Sequence, residues 1–348
     1  MASAESPPRD RKAGTSPAPD SFRAGIARLL FTLAAVYNFA FAAWAIVRPG
    51  GFFELFRLDP PRYPAIWQCL GMVVGVYGLG YLYAARRLDR AAPFIALGLL
   101  GKVLGPIGWI ATVHAGEWPI RTFPLVLFND VIWWLPFGLF LLEGRRAGSR
   151  LRALAPYLCA ALNLAAALAM PLALRPGTEA EKDLAARTGY ITAHPILWRA
   201  GWGVWIMAAL SLLGFYGWWA ARVRSRRLGL AAMILAIVGI SGDLLAESLY
   251  IGWLPDDYDR VAALARLLTG VWGNTFYTVA GILLTLASPW IRGAARGCAW
   301  LIWAAGLALS VFSLTGNVSG LILSMGTLFV LFCPWVARVG LLERKRAA

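Results

Sequence analysis

The sequence predicts an all-α integral membrane protein, a polytopic bundle of about ten transmembrane helices. Hydrophobic residues make up 59% of the chain and charged residues only 15%, whereas soluble domains contain about 25% charged residues. The apolar residues form long runs, each close to the ~20 residues that cross a bilayer as a helix. Arginine clusters lie in alternate connections between these runs, which is typical of basic cytoplasmic loops.

The chain begins with residues 1–27, which are rich in Ala, Ser, Pro and charged side chains. Such a segment cannot bury enough apolar surface to order itself, so we predict a disordered cytoplasmic tail. The predicted spans follow at 29–47, 66–85, 92–113, 123–142, 153–174, 196–221, 229–254, 261–287, 298–315 and 320–337. They are expected to be helical because each backbone amide in hydrocarbon needs a partner within its own segment.

The distribution of basic residues predicts the orientation. Of the 33 Lys and Arg residues, 22 lie in the tails and alternate connections and 8 in the other connections. This bias places both termini in the cytoplasm. The net charge of +15 does not indicate nucleic-acid binding, because the arginines form short clusters between apolar runs. The expected partners are the lipid bilayer and a small solute or ion, and the oligomeric state stays open.

Cofactor and enzyme motifs are missing from the sequence. The four cysteines lie far apart in or beside apolar runs, without a CxxC motif, and are interpreted as small buried hydrophobic residues. There are two histidines, His114 and His194, both near predicted membrane edges. No HExxH, GxSxG or phosphate-binding loop occurs. We therefore predict no cofactor and no metal site, and an enzyme is less favoured than a binding protein.

An internal repeat is predicted between the first four spans and spans five to eight. Six short sequence features recur in the same order in the two halves. Each is given by its position in the first half and then in the second: Asn38 and Asn163; 48–50 and 175–177; Pro64 with Trp67 and Pro195 with Trp198; 77–78 and 216–217; 84–86 and 220–222; Asn129 and Asn274. Duplication gives four-helix units at 28–146 and 147–291, followed by a terminal two-helix hairpin with a basic tail at 292–348. The alternative is that interfacial tryptophans and cytoplasmic arginines recur in any membrane protein.

Two sets of sequence motifs, one in each half of the chain, resemble those of known membrane protein families. The first half contains WQCLGMVVGVYGLGYLYAAR, GLLGKVLGPIG and NDVIWWLPF, and resembles small bacterial four-helix membrane proteins, loosely DoxX-like in size and topology. The second half contains HPILWRAGWGVW, FYGWWAAR and GDLLAESLYIGWLP, and is similar to another bacterial membrane family. The resemblance implies a bacterial inner membrane and transfers no catalytic residue.

Six ionisable residues fall inside the predicted spans: Lys102, Asp130, Arg199, Asp243, Glu247 and Arg266. Even on lenient scales a charge at the helix centre costs ~2.5–3.5 kcal/mol, so these residues are expected to pair. We predict a Lys102–Asp130 pair with Asn129 beside it. We also predict an outer charge cluster of Arg199, Glu247 and Arg266.

Asp243 and Glu247 are four residues apart and therefore share a helical face. Like charges so placed repel unless a cation lies between them or one is protonated. The pair suits cation coordination or proton relay, although a salt-bridge lattice with the arginines is an equal alternative. Pro106 removes one backbone hydrogen bond and frees a carbonyl near Lys102, which also points to a site.

These observations combine into one functional hypothesis: binding or translocation of a small solute or ion through an intramembrane polar site. Its predicted members are Lys102, Asn129, Asp130, Asp243, Glu247 and Asn274. One alternative is a non-catalytic membrane scaffold or sensor whose charges only hold the bundle together. The other is a membrane-embedded enzyme or redox component acting on a lipid or quinone, with Lys102–Asp130 as its acid–base pair.

Overall fold

The computed structural model describes residues 19–143 and 146–347, and the chain is helical with no strand in these ranges. The α-helices are α1 (Pro19–Val47), α2 (Gly51–Leu55), α3 (Pro64–Arg86), α4 (Ala92–His114), α5 (Phe123–Val126), α6 (Ile132–Leu141), α7 (Arg146–Ala169), α8 (Leu184–Ala193), α9 (Pro195–Ala220), α10 (Arg226–Gly252), α11 (Tyr258–Arg266), α12 (Asn274–Leu286), α13 (Ala294–Thr315) and α14 (Val318–Ala347). Three π-helical segments join or extend them, at Leu127–Val131, Met170–Leu174 and Leu267–Gly273.

Ten of the helical segments in the described ranges are long and apolar enough to cross a membrane. The predicted all-α polytopic bundle is therefore confirmed. In chain order, spans one to three are α1, α3 and α4, and span four combines α5 and α6. Spans five to seven are α7, α9 and α10, span eight combines α11 and α12, and spans nine and ten are α13 and α14.

The first helix is longer than the sequence suggested. It begins at Pro19, so residues 19–27, which the sequence predicts to be part of the tail, are helical, and the membrane-spanning segment begins at Arg23. The rest of the predicted tail, residues 1–18, lies outside the described residues. Other span starts follow local rules: Pro64 and Pro195 occupy first-turn positions, where a missing N–H costs nothing. Ser225 caps span seven by accepting a hydrogen bond from the Leu228 amide.

The spans form two closed rings. In the first ring, spans one to four pack in sequence and span four returns to span one. Its core contains Phe31, Tyr81, Ile95 and Phe137. In the second ring, spans five to ten pack in sequence and span ten returns to span five. The terminal hairpin predicted at 292–348 thus completes a ring of six helices.

The matched asparagines of the predicted repeat make similar contacts. Asn38 donates to the Val74 carbonyl of span two at 3.2 Å, and Asn163 donates to the Ser211 hydroxyl of span six at 3.4 Å. Asn129 lies within one π-helical segment, and Asn274 directly follows another. The duplication itself, and the unit boundaries, stay predictions.

The two rings meet where span seven ends. A Cβ on Gly252 would lie 2.8 Å from the Arg121 Cα, so this glycine permits close approach to the start of span four. Arg121 donates in turn to the carbonyls of Phe56 and Arg57. Because successive spans cross in alternate directions, α1 begins and α14 ends on one face of the bundle. We name this the terminal face, and the side with loops 48–63 and 175–194 the loop face.

Spans seven and eight approach with their backbones in contact. A Cβ on Gly239 would lie 2.7 Å from the Gly273 carbonyl oxygen and 3.0 Å from the Phe276 Cβ. Gly101 on span three is the opposite case, because nothing lies within 4 Å of an added Cβ there. The two positions form a matched pair of helical glycines.

We predict that Gly239→Ala destabilises the protein by ~1–3 kcal/mol, the usual cost of overpacking, since a backbone atom cannot move away cheaply. Gly101→Ala should cause no loss and gain up to ~1 kcal/mol from helix propensity. Thermal unfolding of both variants in detergent measures the difference. Equal melting temperatures for the two variants would contradict the close approach of spans seven and eight.

Candidate functional site

Lys102 lies at the centre of span three and points into the first ring, where it is 6% exposed. Its ammonium donates a hydrogen bond to the Asn129 main-chain carbonyl. It also lies 5.8 Å from the ring centroids of both Tyr81 and Trp133. A carbonyl oxygen and two aromatic faces therefore surround this charge, and aromatic faces attract cations through their quadrupole.

Asp130 lies close to Lys102 but does not form the predicted ion pair, because no nitrogen–oxygen contact within 4.0 Å joins their side chains. Asn129 connects the two residues: its carbonyl accepts from Lys102, and its amide donates to the Asp130 Oδ1 at 2.7 Å. The other carboxylate oxygen lies against Gly105, where a Cβ would come within 2.6 Å. Asn129 is thus the central residue of this group.

The backbone at both sides of this group is irregular. Pro106 has no N–H to donate to the Lys102 carbonyl four residues earlier, and the Trp134 indole donates to that carbonyl instead, at 2.9 Å. Asn129 and Asp130 lie in the π-helical segment Leu127–Val131. Segments of this kind occur frequently at functional sites.

The predicted outer charge cluster is not assembled. Arg199 is exposed, and Arg266 pairs instead with Glu179, donating to both carboxylate oxygens at 2.8 and 2.9 Å. Glu247 is 3% exposed and forms no ion pair within 4.0 Å. Sequence reasoning missed Glu179 because it lies in a connection, outside the intramembrane set that we considered.

A second group of polar residues, which includes Asp243 and Glu247, lies at a cavity of about 70 Å³ inside the six-helix ring. Each of spans five to ten contributes to its lining, with Asn163, Trp205, Asp243, Tyr277, Trp303 and Phe329 as one example from each. Glu247 also lines it, whereas Lys102, Asn129, Asp130 and Asn274 do not. The predicted single polar site is therefore divided between the two rings.

Both carboxylates of the cavity are buried and incompletely paired. Asp243 is 7% exposed and Glu247 is 3% exposed. The Asp243 Oδ1 and the Glu247 Oε2 have no hydrogen-bond partner. The Thr269 and Tyr277 side chains lie beside Asp243, and no Lys, Arg or His lines the cavity. Negative charge in this cavity therefore has no basic side chain to balance it.

Asn274, the remaining predicted site residue, lies next to the cavity in a contact between spans eight and nine. Its amide donates to the Gly306 carbonyl at 2.5 Å and to the Ser310 hydroxyl at 2.8 Å. It is 1% exposed, and its neighbours Tyr277 and Thr278 line the cavity. Its contacts indicate that it fixes span nine against span eight.

An aromatic layer lies on each side of the cavity along the bundle. Towards the loop face, Trp202 stacks on Tyr250 with ring centroids 4.2 Å apart, one turn beyond Trp205 and Glu247. Towards the terminal face, three indoles pack together with centroids 5.4–6.5 Å apart, namely Trp219, Trp303 and Trp335. Each of these three donates its N–H to an oxygen, so the layer carries no unpaired indole.

An ion pair lies beyond each aromatic layer. On the loop-face side, the Arg266–Glu179 pair links span eight to the connection after span five. On the terminal-face side, Arg222 pairs with Glu343 of span ten at 3.1 Å and lies 4.2 Å from the Trp218 ring centroid. Burial lowers the pKa of the Arg222 guanidinium from its ordinary value, and the Glu343 carboxylate opposes that shift. Sequence reasoning assigned Arg222 to a basic loop and did not find this pair.

Comparison of the chain with protein-family models, curated proteins and solved structures gives no match. The resemblance to DoxX-like and other bacterial membrane proteins stays a prediction. A functional assignment therefore depends on the geometry of the two groups.

We predict that the Trp134 indole replaces the backbone donor that Pro106 lacks. Trp134→Phe should then cost ~1–3 kcal/mol, because it leaves the buried Lys102 carbonyl without a partner. In a Pro106→Ala background the residue-106 amide can donate to that carbonyl, so the same change should cost less. Thermal unfolding of the two single variants and the double variant measures this coupling. Additive effects would show that the indole bond does not compensate for the proline.

Proposed function

We propose that the protein binds a small cation in the cavity of the six-helix ring and translocates it across the membrane. The observation that carries this proposal is the pair of buried, incompletely paired carboxylates, Asp243 and Glu247, which line a cavity without a basic lining residue. Two charges one helical turn apart repel by on the order of 3 kcal/mol at an effective dielectric of ~20. A cation bound between them removes this repulsion and supplies the missing partners.

The Lys102 group is a weaker candidate for ligand binding. Its ammonium already has a carbonyl acceptor, and one Asp130 oxygen already has a donor. These internal contacts favour a structural role for Lys102 within the first ring. Two neighbouring carboxylates with free oxygens are better suited to an exchangeable ligand.

Translocation is favoured by the arrangement on either side of the cavity. An aromatic layer and an ion pair lie between the cavity and each face, and together they would form a barrier at each end. Side-chain contacts form both barriers, and such contacts can open without unfolding a helix. Opening one barrier at a time would give alternating access to a site near the bilayer midplane.

We also propose that the terminal face is cytoplasmic and that the membrane is a bacterial inner membrane. The proposal is supported by the excess of arginine in the connections on that face. The bacterial location depends on the resemblance of the sequence motifs.

Neutralising either carboxylate should weaken cation binding about tenfold or more, equal to ~1.4 kcal/mol. The variants are Asp243→Asn and Glu247→Gln, with Glu117→Gln as the control at an exposed acid. Tryptophan fluorescence of the purified full-length protein reports binding, because Trp205 and Trp303 line the cavity. Chloride salts of sodium, potassium, magnesium, ammonium and dimethylammonium are titrated, with bulky N-methylglucamine chloride maintaining the ionic strength.

At least one cation should give a saturable change in the wild-type protein and in Glu117→Gln. A wild-type protein that saturates with none of them would contradict the proposal. Unchanged affinity in both carboxylate variants would contradict it equally.

Breaking an end ion pair should accelerate cation entry, because each pair helps to close the cavity. Glu179→Arg or Arg266→Glu alone should raise the association rate constant about tenfold, a barrier change of ~1.4 kcal/mol. The double variant, which restores opposite charges, should return towards the wild-type rate. Stopped-flow fluorescence measures these rates, and Arg222→Glu with Glu343→Arg gives the same comparison at the terminal face. Wild-type rates in every single variant would show that the ion pairs do not control access.

A further inference from the structure

The side chains that line the cavity indicate the chemical class of the ligand as well as its charge. Apart from the two carboxylates, most lining side chains are aromatic or aliphatic. A metal ion of the Ca²⁺ or Mg²⁺ type needs an approximately spherical shell of about six or more oxygen ligands, whereas this cavity also presents the large aromatic faces of Trp205, Trp303 and Phe329. Among the described residues, no group of three or more His, Cys, Asp or Glu side chains lies together in a way that could hold a metal ion.

Both carboxylates of the cavity can accept further hydrogen bonds. The Asp243 Oδ1 and the Glu247 Oε2 are both unpartnered. The Tyr216 hydroxyl lines the same cavity but already donates to the Tyr277 carbonyl at 2.6 Å. A ligand with two N–H donors can donate one hydrogen bond to each carboxylate, whereas a quaternary ammonium ion has no N–H to donate.

The remaining wall suits the hydrocarbon part of such a ligand. Trp205 of span six and Phe329 of span ten meet edge to face, with ring centroids 5.5 Å apart, and both line the cavity. Alkyl groups next to an ammonium nitrogen carry part of its positive charge and bind well to aromatic faces. A volume of about 70 Å³ holds roughly five water-sized groups at ~10–15 Å³ each.

We propose that the ligand is a small organic ammonium ion with at least two N–H donors, of the size of dimethylammonium. This inference rests on the proposed cation-binding function. The N–H groups bind Asp243 and Glu247, and the alkyl groups lie against Trp205 and Phe329. The carboxylates provide the attraction for a cation, and the aromatic corner selects an organic ion over a metal ion.

The test compares dimethylammonium, tetramethylammonium, sodium, potassium and magnesium chlorides in fluorescence titrations of the full-length protein at constant ionic strength. Dimethylammonium should bind at least tenfold more tightly than any of the others. Trp205→Leu should weaken dimethylammonium binding about fivefold, and Asp243→Asn should weaken it further. Trp300→Leu is the matched control, because Trp300 is 40% exposed and does not line the cavity.

Thermal unfolding in the presence of each salt provides a second readout that does not depend on the fluorescence of Trp205. Tighter binding of sodium, potassium or magnesium would overturn the organic-ammonium assignment and leave cation binding intact. Tighter binding of tetramethylammonium would overturn the requirement for two N–H donors. Saturation by none of the cations would overturn both this inference and the proposed function.

Discussion

The structure depends on one constraint, that charge placed in hydrocarbon must find a partner. The two rings meet this constraint in different ways. In the first ring, Lys102 binds the Asn129 carbonyl and two aromatic faces, and Asn129 also holds Asp130. In the second ring, Asp243 and Glu247 line a cavity, and each has one buried oxygen without a hydrogen-bond donor. The contacts of the first group stabilise the fold, whereas the two carboxylates of the second group are those that we propose to bind a cation.

Backbone irregularities in the first ring also compensate one another. Pro106 leaves the Lys102 carbonyl without its helical donor, and the Trp134 indole provides a replacement from the facing span. The π-helical turn in that span contains Asn129, whose carbonyl binds the lysine ammonium. At each irregular backbone position, a main-chain carbonyl therefore accepts a hydrogen bond from a side chain of the facing helix. The same residues that break regular helices connect spans three and four.

Sequence reasoning predicted the fold well because hydropathy and arginine alternation are properties of single segments. Ten spans follow from segment length alone, and the burial of Lys102 and Asp243 follows from their position within a span. It was harder to predict which charged residues pair with each other, because pairing depends on how the helices rotate and pack. Glu247 and Arg266 lie at similar predicted depths, yet Arg266 pairs with Glu179 from a connection. The division of the polar residues between two rings likewise depends on packing order, which no local pattern encodes.

The terminal hairpin accounts for the cavity of the second ring. Four helices packed 8–10 Å apart bring opposite helices close enough for their side chains to fill the centre. In a ring of six, opposite helices are ~18 Å apart at the same neighbour spacing, and a helix with its side chains is ~10 Å wide. A central space remains unless large side chains fill it. Spans nine and ten carry no ionisable residue within their predicted bounds, but by closing the ring they create the space that Asp243 and Glu247 face. The hairpin thus contributes to the proposed function through geometry, while span seven contributes the charge.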